Sequence, residues 1–338
     1  MPFGSRSKWG TSVRAVVLAA CIALAGGVHA ETTVAAAHKG DTIDRKTVRR
    51  SVSDTVKLLN DVYVYPDTAR RVGLEMIDRL EAGAYDRITT RQEFASRIGS
   101  ELDDLSGDGH LGVLVAEGGE APTHVMKETT DRFRLNYGFE KLEILPGNIG
   151  YLKLNKFFPD DEARNTADHA LGFLGGTDAL ILDLSECKGG SPELVSHMLS
   201  YFFAEKTLLW SIVDRNGKSV HDTFSTTGAG PARFQRDYPL IILTGPDTAS
   251  AAELFAYTLK SFGKARTVGQ GTTGIAHIVG ALPINEHFVG RFSTYRTINP
   301  VTKTDWEGVG IPPDAVADTQ KRLDVAVAMA RATPAQPQ

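Results

Sequence analysis

The stretch YPLIILTGPDTASAAELFAYTLKSFGKARTVGQGTTGIAH, residues 238–277, carries the chain from strand to helix and back to strand. YPLIILTG is a continuous apolar run rich in β-branched residues, the pattern of a strand covered on both faces. PDTAS supplies a turn, and AAELFAYTLKSFG reads as a helix closed by glycine. Ser250 falls where the strand gives way to the helix. A hydroxyl at that point meets free backbone N–H groups and the positive end of the helix dipole, and both favour an alkoxide or an oxyanion. Ala249, Ala251 and Ala252 are small and leave room for a substrate. Taken locally, the same serine also reads as a plain helix N-cap.

Downstream, GQGTTG at residues 269–274 matches G-x-G-x-x-G. A dinucleotide turn needs a helix opening at the third glycine. Gly274 leads instead into IAHIVGALPI, β-branched and glycine-rich, so the expectation is another strand. Glu286, a loose candidate for the acid that would hold a ribose, has no helix before it. The segment is therefore read as a tight or mobile loop lining a cleft, with Gly274 and His277 beside it. No cofactor is expected. The sequence holds no P-loop, no G-x-S-x-G elbow and no H-E-x-x-H, and no His, Cys and acid cluster at metal-ligand spacing, so no metal is expected either.

Upstream, LILDLSECKGGSP at residues 180–192 is a second strand-to-helix junction. Paired glycines there expose backbone N–H groups, so Gly189 and Gly190, together with Ala251, are candidates for an oxyanion hole. A tight turn with no chemistry is the other reading of that glycine pair.

Around this centre the chain divides by texture. Residues 1–30 join three basic residues, Arg6, Lys8 and Arg14, to a short apolar run ending in Val28-His29-Ala30, the pattern of a secretory signal peptide cut after Ala30. An uncut anchor and lipidation at Cys21, in LAAC, are the alternatives. Residues 31–44 are small and polar, a flexible leader. Residues 45–128 read as a helical N-terminal domain. In it Val52, Val56, Leu58, Leu59 and Val62 fall near helical spacing, Tyr65-Pro66 breaks the run, Gly83 caps a second helix, and Thr90 with Glu93 forms a capping box for a third. Residues 129–330 alternate strands and helices, an α/β domain with a layered sheet. Residues 331–338 are expected to be a disordered tail.

The 338 residues are 42% hydrophobic and 23% charged, enough for a substantial core. Loss of residues 1–30 removes three of the 37 basic residues and none of the 41 acids, leaving a formal charge of −7. That balance argues against a nucleic-acid partner and gives no reason to expect an anionic membrane surface or stable membrane insertion. Only Cys187 of the two cysteines would remain, so no internal disulfide can form.

NIGYLKLNKF, ALILDLSECKGGSPELV, the stretch from Leu243 to His277, and INPVTKTDWEGVGIPPD occur in that order. Together they resemble the tail-specific, or C-terminal processing, serine peptidases, and most nearly the branch holding the tricorn protease core and the interphotoreceptor retinoid-binding protein modules. YVYPDTA and DLSGDGHLGV resemble that branch's N-terminal domain. The resemblance spans roughly residues 50 to 330. It implies a crotonase-like (ClpP-like) ββα spiral catalytic domain behind a small helical bundle, with Ser250 as nucleophile.

Processing-type members carry a lysine base where this chain has Ile275, so that dyad is not available, and Lys264 is a poor substitute. The tricorn-like branch uses Ser, His and Glu. Here the resemblance points to His110 as base and Glu307 as supporting acid. His277 is the rival base, with a structural or substrate-contact role favoured for it. Asp108 is read as a turn former and Cys187 as a small buried residue. The interval after His110 leaves no room for a PDZ insertion. The expected function is an exported serine peptidase, periplasmic or secreted, acting on a polypeptide substrate. A non-catalytic apolar-ligand binder on the same fold, and an esterase or amidase using the same triad, are the alternatives.

Overall fold

The computed structural model describes residues 41–116 and 129–332. The expected signal peptide, Cys21, most of the leader and the last six residues lie outside the described residues.

Three helices open the chain: α1 (Arg45–Val62), α2 (Pro66–Glu81) and α3 (Arg91–Ser106). The Asp44 side chain accepts from Thr47 N at 2.7 Å and starts α1. Val48, Val52, Val56 and Leu59 recur at helical spacing and are buried. Tyr63 is extended, and the chain stays out of the helix until Pro66 opens α2 at its first turn. Thr90 Oγ1 accepts from Glu93 N at 3.1 Å, while the Glu93 carboxylate reaches Thr89 N, one residue earlier than an ideal capping box. Gly107 closes α3 in the left-handed region, φ 72°, and turns the chain into Asp108-Gly109-His110.

The central sheet has the order β11-β8-β7-β4-β3-β2. Its strands are β2 (Phe139–Leu145), β3 (Ile149–Leu154), β4 (Ala179–Asp183), β7 (Leu240–Thr244), β8 (Arg266–Gly269) and β11 (Ala315–Val316). All neighbours run parallel except β2, which pairs antiparallel with β3. β4 and β7 are buried at every position. Their side chains alternate between two cores: Leu180, Leu182, Leu240 and Ile242 enter one, and Ile181, Ile241 and Leu243 enter the other. Residues of α5 (Asp161–Phe173), α6 (Pro192–Leu199) and α7 (Ala251–Ser261) belong to the first core, and residues of α8 (Arg322–Ala332) belong to the second. A short helix, α4 (Thr129–Arg134), precedes β2.

A second, antiparallel sheet joins β1 (Gly112–Val115), β10 (Phe288–Ile298), β5 (Leu208–Val213) and β6 (Ser219–Phe224), with β9 (Ile278–Pro283) also paired to β10. Through β1 and β10 it couples the helices to the rest: Phe288 and Phe292 are fully buried in the core of α1–α3. Strands β2 and β6 had no counterpart in the sequence reading. Both are largely exposed, so neither carries the apolar pattern that marks a buried strand. After Gly274 the chain runs as a loop into β9, and no helix opens there.

Candidate active site

Ser250 sits between β7 and α7 with φ 54° and ψ −118°, a conformation rarely taken by a residue that carries a Cβ. The turn before it is tied to the end of β4. Thr248 Oγ1 donates to Leu184 O at 2.8 Å, and Ala249 N donates to Cys187 O at 3.0 Å. Below the serine lies Glu253, fully buried on the first turn of α7. Its carboxylate accepts from Ser250 N at 2.9 Å, Gly274 N at 2.7 Å, Ile275 N at 2.9 Å and Thr272 Oγ1. Burial raises the Glu253 carboxyl above its ordinary range, and these donors pull the other way. The glycine loop is thus pinned beneath Ser250. Glu253 was missed in the sequence reading, although Ser-x-x-Glu before an apolar run is the signature of an N-terminal cap.

Gly189 packs on Ser250 so closely that a Cβ on it would lie 2.9 Å from the Ser250 Cβ. Its N–H is turned toward the Cys187 sulfur. The N–H groups of Gly190 and Ala251 donate to no protein group among the described residues. Gly189, the third sequence candidate, likewise donates no hydrogen bond that meets ordinary geometry among the described residues. Cys187 is wholly buried, and burial pushes its thiol up to about 12.

His110 lies on the segment between α3 and β1. Its Nδ1 is 2.8 Å from Asp108 Oδ1 and 3.2 Å from Glu307 Oε1. Asp108 corrects the sequence reading. It does shape the turn, accepting from His110 N at 3.0 Å, but it is also the ring's nearest carboxylate. Tyr63 and Ser293 hold its other oxygen at 3.1 and 2.8 Å. Burial would raise the Asp108 carboxyl, but the bond from the His110 ring and the nearby His277 ring outweigh it and hold the group well below the usual carboxylate range. For His110, burial works against the charged ring, and the two carboxylates overcome it, pushing the imidazole up to about 9.

Glu307 is not a solvated turn residue. It accepts from Ala276 N at 2.7 Å and His277 N at 2.9 Å, and its carboxyl is lowered by His110 and His277 against the effect of burial. His277, buried, places Nε2 3.0 Å from the Tyr65 hydroxyl, so its ring is anchored to the helical unit. No hydrogen bond joins Ser250 Oγ to either imidazole among the described residues. Although they have no metal-ligand spacing in the sequence, Asp108, His110, His277 and Glu307 each offer one ligand atom, all within 4.8 Å of one another.

A serine at a strand-to-helix turn of a mostly parallel sheet, together with a carboxylate-held imidazole, fits an α/β scaffold of peptidase type. Residues 148–317 match the family described as Peptidase family S41, and residues 42–136 match the N-terminal domain of Peptidase_S41 in eukaryotic IRBP. The chain belongs to peptidase family S41. It is 27% identical to the carboxyl-terminal-processing protease of Picosynechococcus sp. over 79% of this chain, and it spans 62% of that relative's length. Among solved structures it is similar in fold to the photosystem II D1 C-terminal processing protease, with TM-score 0.54 and 14% identity over 81% of this chain and 94% of that one. It is similar also to the tricorn protease, with TM-score 0.55 and 12% identity over 85% of this chain and 37% of that one. Among the described residues, no helix is long and apolar enough to cross a membrane.

Proposed function

We propose that this chain is an exported serine peptidase that hydrolyses peptide bonds of polypeptide substrates. One observation carries the reading: Ser250 is held in a strained turn beside unengaged backbone donors, on the scaffold of a peptidase family.

In this mechanism Ser250 Oγ attacks the scissile carbonyl carbon. His110 Nε2 takes the serine proton while its Nδ1–H donates to Asp108 Oδ1. Glu307 supports the imidazolium from the other side of Nδ1. Gly190 N–H and Ala251 N–H receive the tetrahedral oxyanion. His110 then returns the proton to the leaving amine, and water hydrolyses the acyl-enzyme by the same route. Ser250 Oγ and His110 Nε2 have to come within hydrogen-bond length as substrate binds.

The test is incubation of the protein and of Ser250→Ala with a mixed peptide pool, with products read by mass spectrometry. Cleavage is expected from the wild type and at least about a thousandfold less from the variant. Equal behaviour of the two would remove Ser250 from its assigned role and bring forward the apolar-ligand-binding alternative. Export is tested separately, by N-terminal sequencing of the protein recovered outside the cytoplasm. Glu31 is the expected first residue.

A further inference from the structure

We propose that Asp108, His110, His277 and Glu307 form a binding site for a divalent transition metal, Zn²⁺ in particular, and that the bound ion disables His110 as a base. The binding half stands on geometry alone, and the inhibitory half rests on the peptidase reading.

His277 Nδ1 is the observation that asks for a ligand. The side chain is 1% exposed, and Nδ1 is buried without a hydrogen-bond partner. A buried polar nitrogen left unpaired is costly. It is aimed between two carboxylates, 3.7 Å from Asp108 Oδ2 and 3.6 Å from Glu307 Oε2. Those separations are too long for hydrogen bonds. They lie near the edge of a tetrahedron around Zn²⁺, which for metal–ligand distances of about 2.0–2.1 Å is about 3.3 Å. His110 Nδ1 lies 3.2 Å from Glu307 Oε1 and 2.8 Å from Asp108 Oδ1, the other oxygen of each carboxylate, so a tetrahedron closes once each carboxylate turns a single oxygen to the ion.

Two imidazole nitrogens with two carboxylate oxygens suit Zn²⁺, whereas Mg²⁺ and Ca²⁺ take oxygen ligands. The surrounding groups already orient the donors. Tyr65 Oη accepts from His277 Nε2–H in the tautomer that leaves Nδ1 free. Tyr63 and Ser293 fix Asp108, and two backbone N–H groups fix Glu307.

Coordination replaces the proton that His110 Nδ1 now shares with the carboxylates, and that proton leaves to solvent. A neutral imidazole bound through Nδ1 carries its remaining proton on Nε2. It then has no lone pair to accept the Ser250 proton. Occupancy by the ion therefore switches catalysis off without covering Ser250.

The experiment uses the untagged full chain, stripped with chelator and titrated with ZnCl₂. Bound zinc is counted by mass spectrometry after gel filtration, and its ligands are read by X-ray absorption. Wild type and Ser250→Ala are expected to retain one zinc per chain, with two imidazoles and no sulfur in the first coordination sphere. His277→Gln and Asp108→Asn should each bind about a hundredfold more weakly. Loss of zinc from wild type on gel filtration, sulfur scattering, or undiminished binding by both variants would overturn the site. Should a variant fail to fold, the X-ray absorption of the wild type still decides. Zinc is also expected to suppress peptide cleavage, with chelator restoring it. Binding without suppression overturns the switch, and absence of cleavage at every zinc concentration counts against the peptidase reading while leaving the binding result intact.

Discussion

Ser250 holds φ 54° and ψ −118°, where a Cβ crowds the backbone and glycine does not. Such strain costs about 1–3 kcal/mol. Ser250→Gly should therefore be more stable than Ser250→Ala by about 1 kcal/mol, measured by urea unfolding, although both lose cleavage. Equal stabilities would mean the turn is not strained. His110 gives a pH dependence. With the ring pushed up to about 9, only its neutral fraction can accept a proton. In metal-free protein, cleavage is expected to climb about tenfold per pH unit through neutrality and level off near pH 9; a flat profile would count against His110 as the base. Sequence put Glu307 forward as the acid and left Asp108 a turn former, because a carboxylate's role depends on which ring it touches. Asp108 stands two residues from its histidine, Glu307 nearly two hundred.

At the scale of elements, the loop that carries Gly189 and Gly190 is set by close backbone approach. Gly190 has φ 136°, and a Cβ there would lie 2.0 Å from Phe157 O. Gly190→Ala is expected to cost about 3 kcal/mol or more and to remove cleavage. Gly172, in α5 with nothing near its missing Cβ, is the control. Gly172→Ala should be neutral or stabilising by up to about 1 kcal/mol. Asp314 ties α7 to β8, accepting from Lys260 Nζ and Thr267 N, each at 2.7 Å. Burial would raise its carboxyl, but Lys260 and Thr267 outweigh this and lower it. A depressed carboxylate contributes stability above its unfolded pKa, near 4, and loses it as pH falls through the folded value. The stability gap between wild type and Asp314→Asn, about 1 kcal/mol at neutral pH, should therefore shrink in acid. A gap that is constant with pH would refute the assignment. The strand-turn-helix units around Ser250 and Gly190 were legible because their patterns are local. Strands β2 and β6 were not, because exposed strands show no apolar alternation.

At the scale of the molecule, the helical unit and the sheets share a core. Phe94 and Phe288 rings lie 4.3 Å apart, and Phe292 is fully buried among residues of α1–α3. Phe292→Ala is expected to cost about 3–5 kcal/mol. Because β10 belongs to both parts, far-UV and near-UV melting curves of that variant should shift together. Separate transitions would show two independently stable units.

The sequence by itself determined the layered α/β class, the helical N-terminal segment, the position of Ser250 at a helix start and the glycine pair opposite it. Ser250 and the glycine pair are each written within one strand-helix unit, and the class and the helical segment follow from repetition of such local patterns, where periodicity and turn chemistry suffice. Only the tertiary structure decided that Asp108, His110, His277 and Glu307 share one pocket, and that Glu253 fastens the glycine loop beneath Ser250. Those groups come from distant parts of the chain. Their meeting depends on how β1, β10 and the helical core pack, and no local pattern encodes that.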